Sequence, residues 1–175
     1  LRMLWKTCEK DGILGKSVLS RLREREAHSN PGIVENYQEE LPMIHQTFPI
    51  QMPGSQSDSR LITYIQDYSE DVNVNNRPLI LICPGGGYAF NSEREWEALA
   101  FQFLAMGCHA AVLRYSCAPA RYPVALTELA ASIALVREHA SEWHVDPKAV
   151  LVLGCSAGGH LAASLGVLWE EPFLA

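Results

Sequence analysis

From Pro78 onward the chain alternates between two textures. Pro78-Leu79-Ile80-Leu81-Ile82-Cys83 is an unbroken apolar run, the form taken by a central parallel strand buried on both faces. His109 to Tyr115 and Ala149 to Leu153 read the same way. Between these runs the apolar positions step by three or four. Glu93 to Met106 places Trp96, Leu99, Ala100, Phe103 and Leu104 on one face, with Gly107 as its stop. Tyr122-Pro123 opens a second helix, on which Leu126, Leu129, Ile133, Val136 and Ala140 share a stripe, and Pro123 suits its first turn. Ala157 to Trp169 is a third, ended by Glu170-Glu171-Pro172. Strands and helices in this order predict an α/β fold with a mostly parallel sheet and right-handed crossover helices.

Upstream the pattern changes. His45 to Met52 and Leu61 to Ile65 read as strands joined through the turn-rich Pro53-Gly54-Ser55-Gln56-Ser57-Asp58, an antiparallel N-terminal hairpin at a sheet edge. Asp71 to Arg77 is a polar loop and Asp146-Pro147 a turn. Residues 1–42 are expected to be an extension, with a short polar helix over Ser17 to His28 ended by Asn30-Pro31-Gly32, on a catalytic unit spanning 43–175. No internal repeat or low-complexity segment is present.

Two glycine clusters sit where strands end. Val150-Leu151-Val152-Leu153 runs into Gly154-Cys155-Ser156-Ala157-Gly158, and a helical pattern follows. A Gly-x-Ser-x-Gly at a strand-to-helix turn holds its serine in a strained backbone conformation, exposed at the positive end of the next helix. The strand ending at Cys83 leads into Pro84-Gly85-Gly86-Gly87-Tyr88. Three glycines in succession cost backbone entropy and suit a loop that turns its N–H groups toward a ligand. Those groups would join the N–H of Ala157 in binding the negative oxygen of a tetrahedral intermediate.

Composition narrows the function classes. The chain has 175 residues, 48% hydrophobic and 19% charged, enough for one domain with a sizeable core. Net charge is -6 and the basic residues form no patch, since Arg21, Arg23 and Arg25 alternate with Glu24 and Glu26, which argues against nucleic acid. No apolar run approaches the roughly 18 residues of a membrane span, and Leu1 to Lys6 lacks a signal-peptide core. Five cysteines without CxxC spacing point away from a disulfide framework or a zinc site and toward a reducing cytoplasm. Neither a cofactor nor a metal is called for.

With both glycine clusters placed, the chain resembles the α/β-hydrolase superfamily, in its esterase and lipase branch related to hormone-sensitive lipase and small bacterial acetylesterases. The resemblance runs from about Met43 to Leu168 and rests on four stretches. They are Cys83 to Tyr88, Ser92-Glu93-Arg94-Glu95, Val112-Leu113-Arg114-Tyr115, and Gly154 to Ala162. It implies the α/β-hydrolase fold, in its N-terminal and central part, and hydrolysis of small acyl esters with no cofactor. Ser156 would be the acylated nucleophile, with the N–H groups of Gly86, Gly87 and Ala157 as the oxyanion hole. Pro84 stands where many relatives carry histidine.

What is missing matters more. In that family the acid and the histidine follow the serine along the chain, yet only 19 residues follow Ser156 and they form the elbow helix. His160 is held on that helix, and His28, His45, His109, His139 and His144 precede the serine. The chain is therefore expected to be a fragment, inactive alone, whose acid and base lie beyond residue 175. The other reading is a short product serving as a non-catalytic interaction module, with an open strand edge inviting homo-oligomers. Phosphate binding fits less well. Gly154 and Gly159 have P-loop spacing, but His160-Leu161 replaces Lys-Ser/Thr, and Gly85-Gly86-Gly87 meets Phe90 where GxGxxG needs glycine. Cys155 is expected to pack.

Overall fold

The computed structural model describes residues 43–68 and 76–174. The expected extension and its helix over Ser17 to His28 lie outside these residues, as does most of the polar loop after Asp71.

The strands are β1 (Met43–Ile44), β2 (Thr47–Pro49), β3 (Arg60–Gln66), β4 (Arg77–Cys83), β5 (His109–Arg114) and β6 (Val145–Gly154). The helices are α1 (Glu97–Ala105), α2 (Val124–Glu138) and α3 (Ala157–Leu168). The six strands make one sheet in the order β1-β3-β5-β4-β6, with β2 also on β3. β4 pairs in parallel with β5 and β6, while β3 runs antiparallel to β1, β2 and β5. Only β3 opposes the others, so the mostly parallel sheet with its antiparallel N-terminal ribbon is as expected.

Side chains alternate across this sheet with period two. Leu61, Leu79, Leu81, Ala111 and Leu113 face one core, shared with Leu126, Leu129, Val136, Trp143 and Leu161. Ile62, Tyr64, Ile80, Ile82, Ala110 and Val112 face the other, against Ala100 and the half-buried Trp96, Leu99 and Phe103. Strands buried on both faces are apolar throughout for this reason, and the expected stripes on α1 and α2 are the ones that pack.

Three local departures have physical causes. The first ribbon strand is divided between β1 and β2 because the Gln46 carbonyl takes both the Thr63 N–H (2.9 Å) and the Thr63 hydroxyl (3.3 Å). The helix expected from Glu93 instead begins as a 3-10 turn, Glu93–Glu95, and restarts after Trp96 at φ −100°, ψ −103°. The turn expected at Asp146-Pro147 lies within β6. Asp146 Oδ1 accepts the Lys148 N–H at 2.9 Å, and the pairing with β4 shifts register between Arg77 and Leu79.

Two buried polar groups brace the sheet. Glu128, on α2, accepts the Ser116 N–H at 2.7 Å and the hydroxyls of Ser116 and Ser55, tying the hairpin loop to the loop after β5. His109 is fully buried; its Nδ1 accepts the Gln66 N–H (3.2 Å), leaving Nε2–H toward the His144 carbonyl oxygen (3.3 Å). Burial lowers its pKa from 6.5 to about 4, so the folded chain holds a neutral ring. The unfolded chain protonates this histidine first. Its stabilising contribution is therefore complete above about pH 6.5 and is lost as pH falls toward 4. We expect chemical denaturation to show on the order of 3 kcal/mol lost over that window, and His109→Gln to flatten the slope.

Candidate active site

β6 delivers Ser156 to the end of the sheet. The residue is exposed, sits at the N-cap of α3, and has φ +51° and ψ −114°, outside the regions an L-residue prefers. The sequence around it explains how that strain is held. A Cβ on Gly154 would overlap the Gly158 carbonyl, and one on Gly158 would overlap the Cys83 carbonyl at the end of β4. The first turn of α3 thus lies directly on its own entry strand and on the neighbouring strand end, a closeness no larger residue permits.

The triple-glycine loop stands beside this turn. A Cβ built on Gly85 would lie 3.1 Å from Ser156 Cβ and 2.9 Å from the Cys155 carbonyl oxygen. The Gly85 N–H is already taken, donated to Glu95 Oε2. Among the described residues, the N–H groups of Gly86, Gly87 and Ala157 have no hydrogen-bond partner. Gly86 and Gly87 adopt φ +133° and +63°, and the Gly86 carbonyl accepts from Ala89 (3.0 Å) and Phe90 (3.4 Å). All four predicted site residues therefore fall in one place.

Several neighbours were not legible as site residues. Glu95 lay in a stretch that matched the family without a stated role, and it anchors the first glycine. Tyr88, at φ +59°, has its carbonyl bonded by the Ala118 N–H at 2.7 Å, and its hydroxyl is 2.9 Å from His160 Nδ1. Tyr115 meets the Tyr88 ring edge-on and donates to the Pro84 carbonyl at 2.6 Å, using the backbone acceptor that proline retains. Only the aromatic-after-glycine pattern could have flagged Tyr88.

The His160 ring is engaged with Tyr88 and makes no hydrogen bond to the Ser156 hydroxyl; only its backbone N–H reaches Ser156, at the carbonyl (3.0 Å). His45, His109 and His139 bond backbone groups elsewhere, and His144 stacks on Tyr68. The Cys155 thiol is half-buried, and its pKa is raised by burial and by the negative charge of Glu95, which keeps it protonated and a poor nucleophile. Among the described residues no cluster of His, Cys, Asp and Glu could hold a metal ion, and no helix is long and apolar enough to cross a membrane.

Residues 66–174 match the BD-FAE family. The chain belongs to the BD-FAE family. It is an α/β-hydrolase of the esterase and lipase kind. Esterase LipQ of Mycobacterium tuberculosis is 29% identical over 99 residues, 55% of this chain and 24% of LipQ. Among solved structures, MGS-M1, an α/β hydrolase from a Medee basin deep-sea metagenome library, superposes with a TM-score of 0.67 at 38% identity. That match covers 71% of this BD-FAE chain and 51% of MGS-M1. The acetyl ester-xyloside bifunctional hydrolase of Caldicellulosiruptor lactoaceticus gives 0.65 at 31% identity, over 73% of this chain and 48% of that one. The chain thus spans about half of these solved relatives and a quarter of LipQ.

The two glycine types predict opposite sensitivities. Gly158→Ala places a methyl on backbone atoms of β4 and should cost about 3 kcal/mol or more in urea unfolding. Gly87→Ala meets open space and should cost only about 1–2 kcal/mol, the penalty of its left-handed backbone.

Proposed function

We infer that this BD-FAE domain is the nucleophile-bearing part of a serine carboxylic-ester hydrolase acting on small, acetyl-type acyl esters. Ser156 Oγ attacks the ester carbonyl carbon while a base takes its proton. The carbonyl oxygen becomes an oxyanion facing the N–H groups of Gly86, Gly87 and Ala157. The tetrahedral intermediate collapses, the alcohol leaves with the proton, and water then releases the acid from the acyl-serine by the same sequence.

One observation carries this reading: an exposed serine at φ +51° lies beside a glycine loop whose next two N–H groups have no partner. Preorganised donors of that kind contribute about 100 to 1000-fold in rate for each one. The acetyl preference draws support from the xyloside-acting relative, named for acetyl esters. The base and its carboxylate partner are assigned to residues beyond 175, because no described histidine ring bonds the Ser156 hydroxyl.

A second reading has its own observation. β6 pairs only with β4, its other edge has no partner among the described residues, and Leu151 on it is 51% exposed. Such an edge suits a non-catalytic role in which a second chain adds a strand.

The expected outcome is no hydrolysis of p-nitrophenyl acetate by the 1–175 chain above its Ser156→Ala control. A longer polypeptide that includes the acid and histidine should hydrolyse it and lose about 10000-fold or more on Ser156→Ala. Ser156-dependent turnover by 1–175 would disprove the assignment of the base. An inactive longer polypeptide together with dimeric 1–175 in light scattering would favour the second reading.

A further inference from the structure

In a peptide unit the carbonyl and the next residue's N–H share a plane and point in opposite directions, so fixing the carbonyl aims the N–H. The Gly85 carbonyl accepts the Ser92 N–H at 2.8 Å, which turns the Gly86 N–H the other way. The Gly86 carbonyl accepts from Ala89 at 3.0 Å and does the same for the Gly87 N–H. Across the site the Ser156 carbonyl accepts the His160 N–H at 3.0 Å, in the first turn of α3, and sets the N–H of Ala157. All three donors are thus aimed from behind, by main-chain bonds at the far end of their own peptide units.

The peptide unit that leads into them is held by side chains instead. Pro84–Gly85 carries the chain from β4 into the loop, and both of its polar ends are gripped. The Tyr115 hydroxyl donates to the Pro84 carbonyl at 2.6 Å, and Glu95 Oε2 accepts the Gly85 N–H. Tyr115 is buried, and its own carbonyl takes the Asn91 side-chain amide at 2.8 Å. Glu95 closes the 3-10 turn, its N–H donating to the Ser92 carbonyl at 3.2 Å, so one turn supplies the bonds to both the N–H and the carbonyl of Gly85. Glycine peptide units rotate with little steric resistance, so the grip decides where the next N–H points. Charge is not what Glu95 offers. A Cβ built on Gly85 would lie 3.0 Å from Glu95 Oε2 and 3.1 Å from Ser156 Cβ, and a carboxylate that near the nucleophile opposes an oxyanion. Its contribution is an acceptor in a fixed place.

We propose that Glu95 and Tyr115 are positioning residues, a two-sided clamp on the Pro84–Gly85 peptide unit that keeps the N–H groups of Gly86 and Gly87 aimed at the developing oxyanion. Both act through the loop and not on the substrate. Their effect on rate rests on the hydrolase reading above; the hold on Gly85 does not.

The rate effect is read on the longer polypeptide with p-nitrophenyl acetate. Interactions made only in the transition state change kcat and leave KM alone. We expect Glu95→Ala to lower kcat about 10 to 100-fold, less than outright loss of a donor, with KM within about twofold. Glu95→Gln keeps an acceptor oxygen without the charge and should hold kcat within about threefold of the parent. Tyr115→Phe should lower kcat about tenfold, and combining it with Glu95→Ala should cost less than the product of the two, since both grip one peptide unit. If Glu95→Ala melts early, Glu95→Met keeps the length without the acceptor. Amide hydrogen exchange on the 1–175 chain reads the clamp without activity. The Gly85 N–H should be protected about tenfold or more in the parent and in Glu95→Gln relative to Glu95→Ala, with the amides of β4 unchanged. A loss carried by KM, a Gln variant as slow as Ala, multiplicative losses in the double variant, or Gly85 protection indifferent to Glu95 would overturn the proposal. Labelling of the longer polypeptide by a fluorophosphonate, lost in Ser156→Ala, reports on the hydrolase reading separately. Absent labelling with Gly85 protection still dependent on Glu95 would fail that reading and uphold the clamp; labelling without that dependence would fail the clamp alone.

Discussion

The contact on which the rest depends is the seating of the first turn of α3 against the ends of β6 and β4. It exists because Gly154 and Gly158 present no side chain there, and it leaves Ser156 nowhere to go except a positive φ. The strain is offset by the surrounding fold: β4 is buried on both faces, and Leu161 anchors the helix in the larger core. The same closeness brings Gly85 within van der Waals reach of Ser156, so one packing requirement produces both the displayed hydroxyl and its neighbouring glycine loop.

Around that contact the loops are braced individually. Glu95 holds the first glycine, Tyr115 holds the proline before it, and Ala118 holds Tyr88 just after it. The glycine loop is thus fixed at both ends, while the N–H groups of Gly86 and Gly87 in its middle have no partner among the described residues. That is the condition for N–H groups to act on a ligand without reorganising.

The strand runs of β4, β5 and β6, the stripes on α1 and α2 and the elbow could be read from the sequence because each is a local rule, a run or a period. The burial on both faces expected of all three runs holds for β4 and β5, whereas β6 is half-buried to exposed over Ala149 to Leu153. The limits fell where long-range partners decide. Thr63 divides the first ribbon strand through bonds to Gln46, and Asp146 builds a turn inside a strand; neither leaves a periodic trace. The site divided in the same way. Ser156, Gly86, Gly87 and Ala157 lie on motifs, whereas Glu95, Tyr115 and the Tyr88–His160 pair act through contacts between segments far apart in sequence.

The hairpin loop is tied to the loop after β5 at Ser116 and Cys117. The Gln56 N–H donates to the Ser116 hydroxyl at 2.8 Å, its side-chain oxygen accepts the Cys117 N–H at 2.9 Å, and Ser55 reaches Glu128. The N-terminal ribbon is therefore no detachable ornament. Trimming the chain to begin at β4 would take the Ser55 hydroxyl from the buried Glu128 carboxylate and both Gln56 bonds from the loop after β5. A unit that keeps these links has to include Ser55 and Gln56.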